Sequence, residues 1–140
     1  MRAVVIYESL TGNTAKAAEL IGQHLVEGGI SATVFPTTQV DFQAVADADL
    51  VIVGSWTDGL FFFAQKPAKA GRLSLLPLLN GKTCAVFCTF ALDPGKTIDK
   101  LTDLMTERGA DVIGGMTIRR NQLEDGARDF VDRVLGVVAA

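Results

Sequence analysis

Short apolar runs alternate along the chain with longer stretches in which apolar residues recur at helical spacing. A continuous apolar run bounded by turn residues is typical of a strand buried on both faces of a parallel sheet, because a half-exposed strand would alternate apolar and polar residues. Five such runs predict strands at Ala3 to Tyr7, Ser31 to Phe35, Leu50 to Gly54, Cys84 to Thr89 and Val112 to Ile118.

Amphipathic stretches between these runs predict helices. In the first, Ala18, Ile21 and Leu25 form one apolar stripe, and Gly28-Gly29 provides a stop signal. The predicted helices are Thr14 to Glu27, a weak one around Phe42 to Ala46, Gly95 to Arg108 and Leu123 to Val138. Strands that alternate with helices predict an α/β fold, in which a doubly wound parallel sheet with right-handed crossovers forms one domain over residues 1–140.

The segment Ser9-Leu10-Thr11-Gly12-Asn13-Thr14 joins the first strand to the first helix. Backbone N–H groups and the positive end of the helix dipole attract an anion at such a helix start, and Gly12 allows close approach of the backbone. Because the loop holds no Lys or Arg, it suits one phosphate better than a triphosphate. The alternative is that these hydroxyl and amide side chains only cap the helix.

The pattern Tyr7-x-Ser9-x-Thr11-Gly12-Asn13-Thr14-x-x-x-Ala18-x-x-Ile21 resembles the FMN-binding signature at the N-terminus of the flavodoxin family. The resemblance implies a three-layer fold with strand order 2-1-3-4-5 and no insertion in the fifth strand, as in short-chain members. It also implies that FMN is the cofactor, with its ribityl phosphate in this loop. The function implied is electron transfer between redox partner proteins, a reductase and an electron acceptor.

Two further loops are predicted to follow the third and fourth strands, where ligands of doubly wound sheets bind. The candidate residues are Ser55, Trp56, Thr57, Asp58 and Gly59 in the first loop, and Thr89, Phe90, Ala91, Asp93 and Gly95 in the second. The resemblance implies that these loops enclose the isoalloxazine, with Trp56 and Phe90 flanking it. Trp56 as an aromatic residue at the edge of the core remains the alternative.

The Asp58-Gly59 turn resembles the segment with which flavodoxins present a backbone carbonyl to N5–H of the reduced flavin, and Gly59 would permit that turn. An ordinary surface turn is the other interpretation. Asp58 and Asp93 either lie near the flavin, where their charge would lower the second reduction potential, or are solvated loop carboxylates.

Composition and charge exclude several classes of function. A net charge of -3 disfavours nucleic-acid binding, and no apolar signal region or membrane span is visible, so we expect a cytoplasmic protein. Cys84 and Cys88 are predicted to be buried, reduced thiols too far apart for a disulfide, and with the lone His24 they form no metal site. No catalytic set of residues is apparent.

Two alternatives to an electron shuttle remain open at this point. One is an FMN-dependent NAD(P)H:quinone oxidoreductase, and the other is an interaction module that has lost its cofactor. The segment after the Trp loop bears on this choice, because Phe61 to Phe63 with Lys66, Lys69 and Arg72 are either core and solvated residues or an apolar, cationic rim of the site.

Overall fold

The structure, a computed structural model, describes residues 1–9, 12–56, 78–93 and 95–138. Its centre is a five-stranded parallel sheet in the order β2-β1-β3-β4-β5, which confirms the predicted fold class and strand order. The strands are β1 Arg2–Tyr7, β2 Ser31–Pro36, β3 Leu50–Trp56, β4 Thr83–Phe90 and β5 Asp111–Arg119.

Helices cover both faces of the sheet, each with its own apolar core. The helices are α1 Asn13–Glu27, α2 Phe42–Asp47, α3 Thr97–Glu107 and α4 Leu123–Val138. Helices α1 and α4 pack on one face through residues such as Ile21, Leu25 and Phe130, while Val45 of α2 and Leu101 of α3 pack on the other. This arrangement explains the continuous apolar runs, because neither face of the central strands is exposed to solvent.

The third and fourth strands are longer than the apolar runs predicted. Strand β3 continues through Ser55 to Trp56, and β4 continues to Phe90, with Trp56 in register with Thr89. The prediction that Ser55, Trp56 and Phe90 lie in loops was therefore wrong. A central strand can hold polar residues at its end because the neighbouring strands still satisfy their backbone groups.

Helix α3 begins at Thr97, two residues later than predicted. The carboxylate Oδ1 of Asp93 accepts a hydrogen bond from the Gly95 N–H at 2.9 Å, and Gly95 has φ 58°, outside the right-handed helical region. A local turn therefore replaces the first predicted helical residues, since an Asp side chain competes with the helix for backbone N–H groups.

Gly54 of β3 packs directly against Phe87 of β4. A Cβ atom added at Gly54 would lie 2.0 Å from Cζ of Phe87, so the Phe87 ring occupies the space that a side chain would need. Phe87 also meets Phe130 of α4 edge-on, with ring centroids 5.8 Å apart. The glycine that precedes Ser55 and Trp56 is thus required for packing beneath the candidate site.

Candidate functional site

The first turn of α1 lies at the carboxyl edge of the sheet and has an unusual start. Gly12 occupies the N-cap position with φ 97°, and its N–H donates a hydrogen bond to Ser9 Oγ at 3.1 Å. Within the part of the chain that the structure describes, no side chain caps α1 and no acidic residue lies in its first turn. The described residues therefore do not act as a cap, and the start of the helix retains the positive potential that attracts an anion.

Thr14 connects this loop to the end of β4. Its Oγ1 lies 2.7 Å from Oγ1 of Thr89, and the two residues are only 1% and 3% exposed. A hydroxyl in such a pair can accept from its partner while it donates its own proton elsewhere. The contact joins two segments that the sequence predicted separately as site residues.

A second buried polar pair, Glu8 and Ser55, lies at the ends of β1 and β3. Ser55 Oγ donates to Glu8 Oε1 at 2.7 Å, and the Glu8 N–H donates to the Gly54 carbonyl at 3.0 Å. Glu8 is not among the predicted site residues. The sequence feature that could have identified it is its position, because it is a carboxylate directly between a buried strand and the candidate phosphate loop. In this arrangement the Ser55 hydroxyl donates its proton to Glu8, so the Ser55 oxygen can act toward a further partner only as an acceptor.

The two aromatic candidates occupy different faces of the sheet. Trp56 shares a face with Thr89, toward α1, whereas Phe90 is the next residue of β4 and lies on the face of α3. The guanidinium of Arg119 lies 5.1 Å from the Phe90 ring centroid. A flat ring that contacted both aromatics would have to lie beyond the strand ends.

The loop after β4 brings an apolar side chain into solvent. Leu92 is 89% exposed, and Ala91 beside it accepts a hydrogen bond through its carbonyl from Arg119 Nη1 at 3.3 Å. Leu92 is not among the predicted site residues, because an isolated leucine in a loop belongs to no motif. Asp93 and Gly95 are exposed and bonded to each other. The predicted site residues Leu10, Thr11, Thr57, Asp58 and Gly59, and the segment with Phe61 to Phe63, lie outside the described residues.

The two cysteines and the histidine have contacts that stabilise the fold and do not form part of the candidate site. Burial raises the pKa of both Cys84 and Cys88 to about 12, so these thiols stay protonated at neutral pH. His24 bridges α1 and α4, with Nδ1 3.3 Å from Glu27 Oε2 and Nε2 3.1 Å from Glu124 Oε1. In the described part of the chain, no three His, Cys, Asp or Glu residues are arranged to hold a metal ion, and no helix is long and apolar enough to cross a membrane.

Comparison with known proteins identifies the family. Residues 4–119 match the family described as "Flavodoxin domain", so the chain belongs to the flavodoxin family. It is 28% identical to the flavodoxin of Megasphaera elsdenii over 138 residues, which cover 97% of this chain and 96% of that protein. The flavodoxin of Clostridium beijerinckii is 23% identical over 128 residues, or 91% of this chain and 93% of that protein.

Solved structures share the fold. A flavodoxin from the domain Archaea superposes with a TM-score of 0.70 at 22% identity, and the match covers 96% of this chain and 99% of that one. Proteins of this family bind FMN and transfer electrons, and the present chain is an FMN-binding, flavodoxin-like electron-transfer protein.

The described residues fit the phosphate end of FMN. The start of α1, which no described side chain caps, offers backbone N–H groups, and apart from the chain neighbours of Gly12 no described atom lies within 4 Å of the position where its Cβ would stand. Thr14 belongs to the first turn of this helix, and its buried hydroxyl lies 2.7 Å from Thr89 Oγ1. A helix start with accessible backbone N–H groups can hold a phosphate without a counter-charge, and a hydroxyl can add a further neutral donor.

Proposed function

We propose that the protein carries electrons between two redox partner proteins, a reductase and an acceptor, with FMN held at the carboxyl edge of the sheet. The phosphate would occupy the loop from Ser9 to Thr14, and the isoalloxazine would lie near the ends of β3 and β4. FMN supplies the reversible redox chemistry when bound. The protein's own contribution is to hold the cofactor and to set the electrostatic field around it.

The observation that carries this proposal is the start of α1. Helices that only need a cap usually have a Ser, Thr, Asp or Asn side chain that accepts from the first turn. Here the N-cap residue is a glycine in the left-handed region, and Ser9 accepts from Gly12 itself. A ligand with several acceptor oxygens would satisfy the first-turn amides, and a phosphate is such a ligand.

Trp56 provides a built-in reporter for the cofactor. It is the only tryptophan in the chain, is half-buried, and ends β3 beside Thr89. An indole at this position can stack on a flat ring beyond the strand ends, which contributes about 0.5–1.5 kcal/mol beyond burial of area. We therefore expect bound FMN to quench the fluorescence of Trp56.

Titration of the cofactor-free protein with FMN, riboflavin and FAD tests the proposal. Two hydrogen bonds to a charged phosphate contribute about 3 kcal/mol together, so FMN should bind on the order of 100-fold more tightly than riboflavin. FAD should also bind more weakly, because its phosphate is not terminal. Equal affinities for FMN and riboflavin would mean that the α1 start does not bind the phosphate, and would overturn the proposed site.

A second measurement separates the shuttle from a reductase. The FMN-loaded protein is mixed with NADH or NADPH and a soluble quinone, without any other protein. A shuttle oxidises neither nucleotide at a steady rate until a reductase is added. Sustained oxidation by the protein alone would contradict the shuttle.

A further inference from the structure

The surface formed where β4 and β5 end combines an exposed apolar residue with two exposed arginines. We define this surface, the β4–β5 rim, by Phe90, Ala91, Leu92, Arg119 and Arg120. The exposed Leu92 lies next to Ala91, whose carbonyl accepts from Arg119 Nη1 at 3.3 Å. The rim borders the edge of the sheet at which the proposed function places the flavin.

The end of β4 positions the side chain of Arg119 and the backbone of Arg120. The Arg119 guanidinium lies over the Phe90 ring at 5.1 Å, and the Arg120 N–H donates to the Phe90 carbonyl at 2.8 Å. Stacking and backbone bonding reduce the freedom that these residues lose when a partner binds. Arg119 is thereby held in place, although its side chain is exposed.

The local charge of the rim is opposite in sign to that of the chain. Arg119 and Arg120 give the rim a charge of +2, and Asp93 and Lys96 in the neighbouring loop cancel each other. The whole chain carries -3. The first turn of α4 contains two acids, Glu124 and Asp125, and Glu124 contacts His24 of α1 at 3.1 Å.

We propose that the β4–β5 rim is the docking surface for an acidic electron-transfer protein, with Leu92 as the apolar anchor and Arg119 and Arg120 as the charged contacts. This inference rests on the proposed function, because it places the partner beside the flavin. Arginine is enriched among the residues that dominate protein interfaces, and an exposed apolar side chain beside it adds area that docking removes from water. Complementary charge then accelerates association and orients the partner.

The test uses two forms of one probe protein, native cytochrome c, which is basic, and fully succinylated cytochrome c, which is acidic. The FMN-loaded protein is photoreduced and mixed in a stopped-flow instrument with either ferric form, and each encounter transfers one electron to the haem iron. We expect faster reduction of the succinylated form at low salt, by several-fold, and a decline as salt rises. If the net charge of the chain controlled the encounter, the basic native form would be reduced faster. The order of the two rates therefore distinguishes docking at the rim from steering by net charge.

Single substitutions test whether the rim residues control the rate of reduction. Arg119→Gln and Arg120→Gln should each slow reduction of the succinylated form several-fold at low salt and should have little effect at high salt. Leu92→Ser should weaken the complex at both salt concentrations, because an apolar contact is not screened. Arg133→Gln on α4 is the matched control, since it removes the same charge from a residue that is paired with Asp129 away from the rim. Equal effects of all three arginine variants would overturn the proposal.

A measurement without flavin keeps the two proposals separable. The ¹⁵N-labelled, cofactor-free protein is titrated with ferrous, diamagnetic succinylated cytochrome c. Shift changes at Leu92, Arg119 and Arg120 that disappear at high salt support the rim even if FMN does not bind. Tight FMN binding together with shift changes elsewhere would refute the rim and leave the proposed function intact.

Discussion

The proposed phosphate end and the β4–β5 rim occupy the same edge of the sheet but are built in opposite ways. The proposed phosphate end relies on the buried hydroxyls of Thr14 and Thr89, which are at most 3% exposed, and the end of β3 adds the buried pair of Ser55 and Glu8. The rim presents Leu92 at 89% exposure and two arginines to solvent. A buried set of hydroxyls holds a ligand in one position, whereas an exposed apolar and cationic set can exchange partners.

This difference predicts that substitutions at the phosphate end affect ligand binding and stability, while substitutions at the rim affect association alone. Buried polar groups lose both a partner and their compensation for desolvation when one member is removed. Exposed side chains away from such contacts usually change stability by less than about 0.5 kcal/mol.

The largest expected effect is that of Thr14→Val on FMN affinity. Removal of one hydrogen bond to a charged phosphate costs about 1.5–3 kcal/mol, which is roughly tenfold or more in affinity. Riboflavin affinity should hardly change, because riboflavin lacks the phosphate. Isothermal titration with both ligands measures the two effects, and Thr33→Val, an exposed threonine of β2, is the control. An equal loss for FMN and riboflavin would show that Thr14 does not contact the phosphate.

Ser55→Ala should lower the free energy of unfolding by about 1–3 kcal/mol, because it removes the donor to buried Glu8 Oε1. Urea denaturation of the cofactor-free protein measures the change. Ser31→Ala, at the exposed start of β2, is the matched control and should change stability by less than about 0.5 kcal/mol. Similar values for the two variants would mean that the buried pair contributes no more than a surface serine.

The two buried cysteines of β4 make the free energy of unfolding depend on pH. In the unfolded chain a thiol ionises near its ordinary pKa of 9.0, whereas in the folded protein burial raises the pKa of Cys84 and Cys88 to about 12. Between these values the folded state binds more protons than the unfolded state, so stability falls as pH rises. Each thiol contributes up to about 1.4 kcal/mol per pH unit.

Denaturation curves collected from pH 8 to 11 test this dependence. The double variant Cys84→Ala/Cys88→Ala should lose stability less steeply with pH than the wild type. At pH 8, neither thiol should react with a disulfide reagent in the folded protein, because Cys88 is fully buried directly before Thr89. Rapid labelling of Cys88 would indicate that the buried end of the site is open to solvent.

The smallest expected effect is that of Leu92→Ser on stability, less than about 0.5 kcal/mol, because the side chain is almost fully exposed. The matched control is Leu101→Ser on α3, which is 0% exposed and should cost more than about 2 kcal/mol. Thermal unfolding of both variants measures the difference. A large loss in Leu92→Ser would mean that this residue supports the fold and is not an exposed anchor.

Much of the architecture could be predicted from the sequence alone. The apolar runs identified five strands because a doubly covered parallel sheet needs continuous apolar residues, and α4 has the predicted bounds, Leu123 to Val138. The loop from Ser9 to Thr14 was visible as a candidate phosphate site because its residues are neighbours in the chain. Local spacing carries both kinds of information.

Only the tertiary structure decided which side chains meet. Thr14 and Thr89 are 75 residues apart, and Glu8 and Ser55 are 47 apart, so no periodicity could pair them. The extension of β3 to Trp56 and of β4 to Phe90 also depends on the neighbouring strands, which supply backbone partners to residues that resemble loop residues in isolation. The placement of Arg119 over Phe90 follows from the register of β4 against β5. Such pairings are set by packing between distant segments, and a linear pattern of apolar and polar residues does not encode them.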